Sequence, residues 1–573
     1  VNRLETDILI LGAGGAGLFA ALHAKKANPD LDITIAVKGL LGKCGCTRMV
    51  QGGYNVALSQ NDSIERHFMD TIEGGQWLND QDLAWLLVTT APVRIRELEN
   101  ELGCFFDRNP DGSVHQKAFA GQTFDRTVHK GDLTGIEIIN RLAEQVWRRD
   151  IKRLEDHRAL DFIPAADGSG LAGVLMLDIR TGEPLLVQAR ATLLATGGGP
   201  TMYRYHTPSG DKSCDGMAMA LRAGLPLRDM EMVQFHPTGL LAGPNTRMTG
   251  TVLEEGLRGS GGYLLNAQLE RFMFDYDARG ERATRDIVSR SIMDQVRKGN
   301  GTRNGGVYIA MGHLGPDRVR REFKGMVERC ADCGFDLAGG LVEVIPTAHY
   351  MMGGLVFYED CTTPMAGLYA AGEDTGGVHG ANRLGGNGVA NSTVFGGLAG
   401  DAMGSTVRKD ARLADPDPAA IEKARERTLA PLGRRGGDLS AIRERLYAIM
   451  WDDVGILRDA AGLMRAQGAL DQLAKEIDAC GVPDPEKRYN LTWMDRLNLE
   501  SLTLVGRAIC AAALARENSS GAHYREDHPG NADPVQSRYT LARLLDGTLA
   551  IDWAKVDFTR VRPGESLLHQ AAE

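Results

Sequence analysis

The chain has 573 residues, 43% of them hydrophobic and 70 of them glycine, a composition that suits a large glycine-turned α/β enzyme of two to four domains and excludes a disordered or fibrous chain. A formal charge of −10 and a pI near 5.8 give no footprint for nucleic acid or an anionic membrane surface, although local arginines can still hold small anions. With no uninterrupted run of 18 apolar residues and no cationic leader before a cleavage site, no transmembrane segment and a cytoplasmic location are expected.

The first element is an apolar strand, Asp7-Ile8-Leu9-Ile10-Leu11, which runs through Gly12-Ala13-Gly14-Gly15-Ala16-Gly17 into an alanine-rich helical pattern. The first glycine of this GxGxxG permits a tight turn, the second lets a pyrophosphate approach the backbone, and the third lets helix pack on strand. A second strand, Ile33-Thr34-Ile35-Ala36-Val37, follows at βαβ spacing and ends on Lys38, where an acid gripping a ribose would be expected; nicotinamide specificity is therefore not readable from it. Residues 42–53 are too glycine-rich for regular structure and suit close passage along a flat ligand.

Helical patterns cover about 62–102, a polar loop covers 118–135, and another helix begins near Gly135. Gly173–Asp178 and Leu185–Arg190 flank a Thr-Gly turn as a hairpin, and Ala191–Ala195 reads as a further buried strand ending in Thr196-Gly197-Gly198-Gly199. From about 240 to 345 charge rises and the strand-glycine rhythm stops, as in an inserted domain; strand, glycine loop and helix return at 367–400. From 416 the character is helical, with Ile442, Leu446, Ile449, Met450, Val454 and Leu457 at helical spacing, and beyond Ser520 periodicity is lost. The nine cysteines are scattered, and the single CxxC, Cys330–Cys333, has no second pair and no histidine nearby; free thiols and no metal site are expected.

Three stretches in order, Arg222 to Gly239 with its Gln234-Phe-His-Pro-Thr-Gly, Pro346 to Gly354 around His349, and His379-Gly-Ala-Asn-Arg383-Leu-Gly-Gly-Asn387, closely resemble the flavoprotein subunit of succinate dehydrogenase and fumarate reductase, in a wider family that includes L-aspartate oxidase. The resemblance implies an α/β fold: a Rossmann-like FAD-binding domain (1–239 and 349–410) interrupted by an α+β capping domain (240–348), then a helical domain (411–520) and a C-terminal extension (521–573). It implies FAD contacts from the GxGxxG segment, from Lys38, Thr47, Gly52 and Gly53, from Thr196 and Gly197, and from Asp215, Glu373 and Asn387. It implies a dicarboxylate held by His236, His349 and Arg383 against Phe119, which agrees with the fit of a guanidinium fork and imidazole donors to planar carboxylates. By resemblance again, Arg285 is the proton donor and Glu255 and Arg258 are its relay. From first principles a free arginine is a poor choice, since it hardly deprotonates.

Three positions depart from the family pattern. Cys46 stands where the respiratory enzymes carry the histidine bonded to FAD, so a non-covalent FAD is favoured over a cysteinyl link. Glu254 replaces a threonine that contacts a substrate carboxylate, and its charge would repel that carboxylate unless protonated or turned away. Gly388 replaces a serine. The expected activity is interconversion of a succinate-like dicarboxylate and its fumarate-like alkene. One alternative is an oxidase like L-aspartate oxidase, toward which Cys46 and Glu254 tilt. Another is an electron-transfer subunit that needs an iron–sulfur partner docked on its helical domain, because the chain has no ferredoxin-like cysteine cluster of its own.

Overall fold

The computed structural model describes residues 1–244 and 246–568. The strand Asn2–Leu11 lies inside a seven-stranded sheet, and the helix Gly15–Ala27 leaves from its C-terminal end. Lys152–Leu154, Ile33–Ala36, Asn2–Leu11 and Glu183–Leu194 follow one another in parallel. The expected strand Ala191–Ala195 is not separate. It is the second half of Glu183–Leu194, whose apolar run has no breaker between the hairpin residues and the glycines. Residues 183–188 pair antiparallel with Leu171–Asp178, and residues 192–194 pair parallel with Leu368–Ala370. One long strand thus joins the first part of the domain to the part that returns after the insertion. The returning helix Asn387–Thr406 packs directly on Gly15–Ala27: a Cβ on Gly396 would stand 2.5 Å from the Ala16 carbonyl oxygen, and one on Gly400 2.4 Å from that of Ala20.

The insertion builds its own antiparallel sheet, in the order Val233–Leu240, Leu341–Met351, Val307–Ala310, Tyr263–Leu265. Its core, which includes Leu240, Leu264, Val288, Ile292 and Val344, is separate from the main one. Val233, Phe235, Ala348 and Met351, on the two long strands, belong to the main core instead. Both strands therefore pass from one core into the other, and the capping sheet reaches outside 240–348.

Four helices follow: Pro418–Leu429, Leu439–Asp452, Ala460–Ala479 and Leu491–Ala515. Ile442, Leu446, Met450 and Val454 are buried as their spacing predicts, and they share the main core with Ile8 and Leu18. Among the described residues Leu491–Ala515 is the one helix long and apolar enough, by length and composition, to cross a bilayer, and 67% of its most apolar window is buried inside the protein, in part against Ala460–Ala479, as in a core helix. The stretch beyond Ser520 contains a hairpin, Arg538–Leu545 with Thr548–Lys555, that pairs with Leu227–Arg228.

Candidate active site

A cleft opens where the parallel strands end, with Gly14, Lys38, Cys44, Arg158, Lys212 and Asp215 among its walls. A Cβ on Gly12 would lie 2.1 Å from the Ala195 carbonyl oxygen, and one on Gly17 2.0 Å from that of Gly12, so strand, turn and helix close only around glycine. At Gly14 the nearest atom to such a Cβ is Thr47 Oγ1, at 3.6 Å, and the freed space faces the cleft. This is the cradle a dinucleotide pyrophosphate needs, and FAD fits it. Thr47 Oγ1 accepts from the Gly15 amide at 3.1 Å. Lys38 Nζ donates to Ser213 Oγ at 2.8 Å and Asp215 Oδ2 at 3.0 Å, while Arg158 donates to Asp215 Oδ1 at 2.6 Å. Burial alone would raise the Asp215 carboxyl, but Arg158 and Lys38 outweigh it and hold the group ionised.

Thr196 Oγ1 and the Gly197 amide donate to Asp374 at 3.0 and 2.8 Å. Glu373 accepts from the Met351 amide at 3.0 Å. Gly52 abuts Phe119, and Gly53, at φ +146°, leaves no room for a Cβ against the Val128 oxygen at 2.3 Å. Asn387 is not a side-chain contact of the cleft. Its Oδ1 accepts from Asn55 Nδ2 at 2.9 Å and His67 Nε2 at 3.0 Å and its Nδ2 donates to Thr71 Oγ1 at 3.2 Å, which makes it a buried hub fixing the start of its helix. Burial pushes the Cys46 thiol up to about 12, with Glu373 adding to the shift, so the sulfur is protonated at neutral pH.

His236 and His349 sit on neighbouring strands at the crossing between the two cores, with ring centroids 5.4 Å apart. His236 Nδ1 accepts from the Thr238 amide at 3.3 Å, so its Nε2 carries the proton and is a donor. His349 Nδ1 bonds Thr207 Oγ1 at 2.7 Å. Burial first, and then Arg285, hold both rings well below the ordinary histidine pKa and therefore neutral. Arg383 lies 4.3 Å over the Tyr350 ring, and burial together with Arg285 brings its pKa down to about 10.

The three residues expected to form the relay lie in contact. Arg285 Nη2 donates to Glu255 Oε2 at 2.7 Å, and Arg258 Nη2 donates to Glu255 Oε1 at 3.1 Å. Burial would raise Glu255, but the two guanidiniums outweigh it and keep it ionised. Phe119, Glu255 and Arg285 converge on Gly385, where a Cβ would come within 2.7, 2.3 and 3.0 Å of them respectively. A Cβ on Gly388 would stand 2.9 Å from Arg383 Nη1.

Two further residues complete the site. Gln234 Oε1 accepts from both Arg285 Nη1, at 2.9 Å, and Arg383 Nη2, at 3.0 Å, while its Nε2 donates to Asn382 Oδ1 and to the Arg383 carbonyl. Its only signal in the sequence is its place two residues before His236. Lys117 Nζ donates to Glu254 Oε2 at 3.1 Å and lies 5.8 Å over the Phe119 ring, so the buried Glu254 carboxylate meets a cation rather than standing alone.

A family model described as an FAD binding domain matches residues 7–389, and one for the fumarate reductase flavoprotein C-terminus matches residues 443–567. One of the subunits of the CoM/CoB fumarate reductase of Methanothermobacter marburgensis is 40% identical over 551 residues, 95% of this chain and 98% of that protein. The fumarate reductase flavoprotein subunit of Escherichia coli is 34% identical over 591 residues, 99% of this chain and 96% of that one. Among solved structures, a variant of the E. coli quinol fumarate reductase superposes with a TM-score of 0.92 at 32% identity, covering 99% of both chains. Adenylylsulfate reductase from Archaeoglobus fulgidus, at 17% identity and a TM-score of 0.79, shares the fold alone.

Proposed function

Because this chain belongs to the FAD-dependent flavoprotein family of fumarate reductases and succinate dehydrogenases, and because its own residues gather in one buried cluster a pair of arginines, two neutral imidazoles and a carboxylate relay, we propose that it interconverts fumarate, or a fumarate-like alkene, and the corresponding succinate. The observation that carries this reading is the line Arg383–Gln234–Arg285–Glu255–Arg258, unbroken at 3.1 Å or less. Bound FAD supplies the two-electron chemistry at its N5. Arg383 and His349 hold one carboxylate and His236 Nε2–H the other, and Phe119 walls the reacting bond from water. Arg285, fixed by Gln234 and Glu255, delivers a proton to one alkene carbon and recovers it through Glu255 and Arg258. In oxidation the same groups run in reverse.

The protonated Cys46 thiol supports an FAD bound without a covalent link. An amine-oxidising role gains nothing from Glu254, whose carboxylate is already paired with Lys117. The nine cysteines are free and dispersed, and among the described residues no group of three His, Cys, Asp or Glu side chains is placed to hold a metal ion. The relatives named as subunits of fumarate reductases support a reading in which electrons reach this chain through a separate, iron–sulfur-bearing partner.

The test is anaerobic: dithionite-reduced enzyme is mixed with fumarate and flavin reoxidation is followed. Wild type reoxidises. Arg285→Ala stays yellow and folded but loses roughly 10²–10⁴-fold in rate, the range for a lost general acid. Reoxidation of the variant at the wild-type rate would remove Arg285 from the chemistry, and no reoxidation of wild type would remove fumarate as its substrate.

A further inference from the structure

The segment Ser520-Gly521-Ala522-His523-Tyr524-Arg525-Glu526 belongs to no helix or strand, yet it touches both halves of the active site. From the cap, Arg290 Nη1 donates to the Gly521 carbonyl at 2.7 Å, its guanidinium lies 5.0 Å over the Tyr524 ring, and Arg297 pairs with Glu526 at 2.7 Å. From the FAD-binding domain, the Ala381 carbonyl accepts from the Ala522 amide at 2.9 Å, and a Cβ on Gly521 would stand 2.4 Å from that same oxygen. Two adjacent residues thus hold the two domains together. Arg290 is on the helix Arg285–Gln295, which begins with the proton donor, and Ala381 is in the loop that carries Arg383 and runs to the helix starting at Asn387.

The segment is a fixed post. His523, fully buried, bonds Arg458 Nη1 through Nδ1 at 2.8 Å and the Arg516 carbonyl through Nε2 at 3.2 Å. Arg458 also reaches the Glu231 carbonyl at 2.9 Å, and Arg525 donates to the Ala513 carbonyl at 3.1 Å and to Asp527. Arg290 Nη1 is also paired with Asp286 Oδ2 at 3.5 Å on its own helix while it holds the Gly521 carbonyl, which fixes the guanidinium from both sides.

We propose that residues 520–526 form a strap that ties the cap to the FAD-binding domain, and that Arg290 is a positioning residue which, through Gly521 and Ala522, sets the spacing between Arg285 and Arg383. The exposed Arg297–Glu526 pair adds little, as surface ion pairs do, so Arg290 carries the coupling. The inference rests on the roles given above to Arg285 and Arg383. Its test has one arm that needs no turnover.

In the full FAD-loaded enzyme, hydrogen exchange is measured over residues 285–295 and 341–351, with and without succinate. Arg290→Ala is expected to raise exchange there about tenfold, lower kcat at least tenfold with KM changed less than threefold, and enlarge the solvent isotope effect on kcat. Arg290→Lys, which can still donate to the Gly521 carbonyl, is expected to restore kcat to within threefold of wild type. Unchanged cap exchange in Arg290→Ala, or raised exchange with kcat and isotope effect unmoved, overturns the strap. If Arg290→Ala fails to hold FAD, Tyr524→Leu decides, with the same shifts at smaller size expected and no shift overturning. A wild-type enzyme inert toward every dicarboxylate would overturn the proposed function and leave the exchange result to be judged by itself.

Discussion

Arg285 and Arg383 are like charges in one buried site, and Gln234 is the residue that lets them stay there, because its single Oε1 accepts from both. A shared neutral acceptor satisfies two guanidinium edges without adding a second carboxylate to a pocket meant for a dianion. The same reasoning isolates Glu254 as the residue that weakens the pocket. Burial raises its pKa, Lys117 opposes that, and the pair neutralises the lysine that lies over the Phe119 ring. Glu254→Thr is expected to free Lys117 and lower KM for fumarate several-fold, about 1 kcal/mol of binding at a partly screened distance, with kcat within twofold. Steady-state kinetics checks this, and the wild-type KM should approach that of the variant as pH is lowered and Glu254 takes up a proton. An equal KM in both proteins would mean that Lys117 already cancels the carboxylate as the substrate feels it.

At the scale of elements, the glycine turn separates fold from binding. Gly17→Ala forces a Cβ to within 2.0 Å of the Gly12 carbonyl oxygen and is expected to abolish soluble, folded protein, whereas Gly14→Ala meets only Thr47 and is expected to fold with a normal melting temperature as apoprotein while losing most bound FAD. The flavin-to-protein absorbance ratio and a thermal melt distinguish the two, and a yellow Gly14→Ala protein would move the pyrophosphate elsewhere. This turn is legible in the sequence because its chemistry is local, as are the hairpin at 173–190 and the stripe at Ile442, Leu446, Met450 and Val454. The C-terminal hairpin is not. Arg538–Leu545 and Thr548–Lys555 are mostly half-exposed, so no clean two-residue alternation marks them. Glu183–Leu194 reads as two strands because its partner changes midway while its apolar character does not. Long-range polar pairing is equally hidden: Lys117 for Glu254, and Asn55, His67 and Thr71 for Asn387, are chosen by the fold and leave no spacing in the chain. Histidines 236 and 349 and Arg383 stand out through motif resemblance, whereas their neutral or lowered protonation is a property of burial that appears only in three dimensions.

Across the whole molecule, His523 joins three parts: its own C-terminal segment, Arg458 after the second helix of the helical domain, and, through Arg458, the Glu231 carbonyl next to the capping strands. Burial first, and then Arg458 and Arg516, depress its pKa well below 6.5. In the unfolded chain this imidazole binds a proton as pH falls below about 6.5, and in the folded protein it does not, so its contribution turns against the fold by about 1.4 kcal/mol for each pH unit below that value. A glutamine can accept from Arg458 with Oε1 and donate to the Arg516 carbonyl with Nε2 and has no proton to gain. His523→Gln is therefore expected to be somewhat less stable than wild type at pH 7.5, through imperfect packing, and to gain on it by about 2 kcal/mol by pH 5. Urea midpoints at the two pH values, on FAD-saturated protein, measure the gap. A gap independent of pH would mean that His523 is protonated in the folded state, in which case Arg458 could not donate to it. The post on which the strap is anchored would then be held by something other than this buried imidazole.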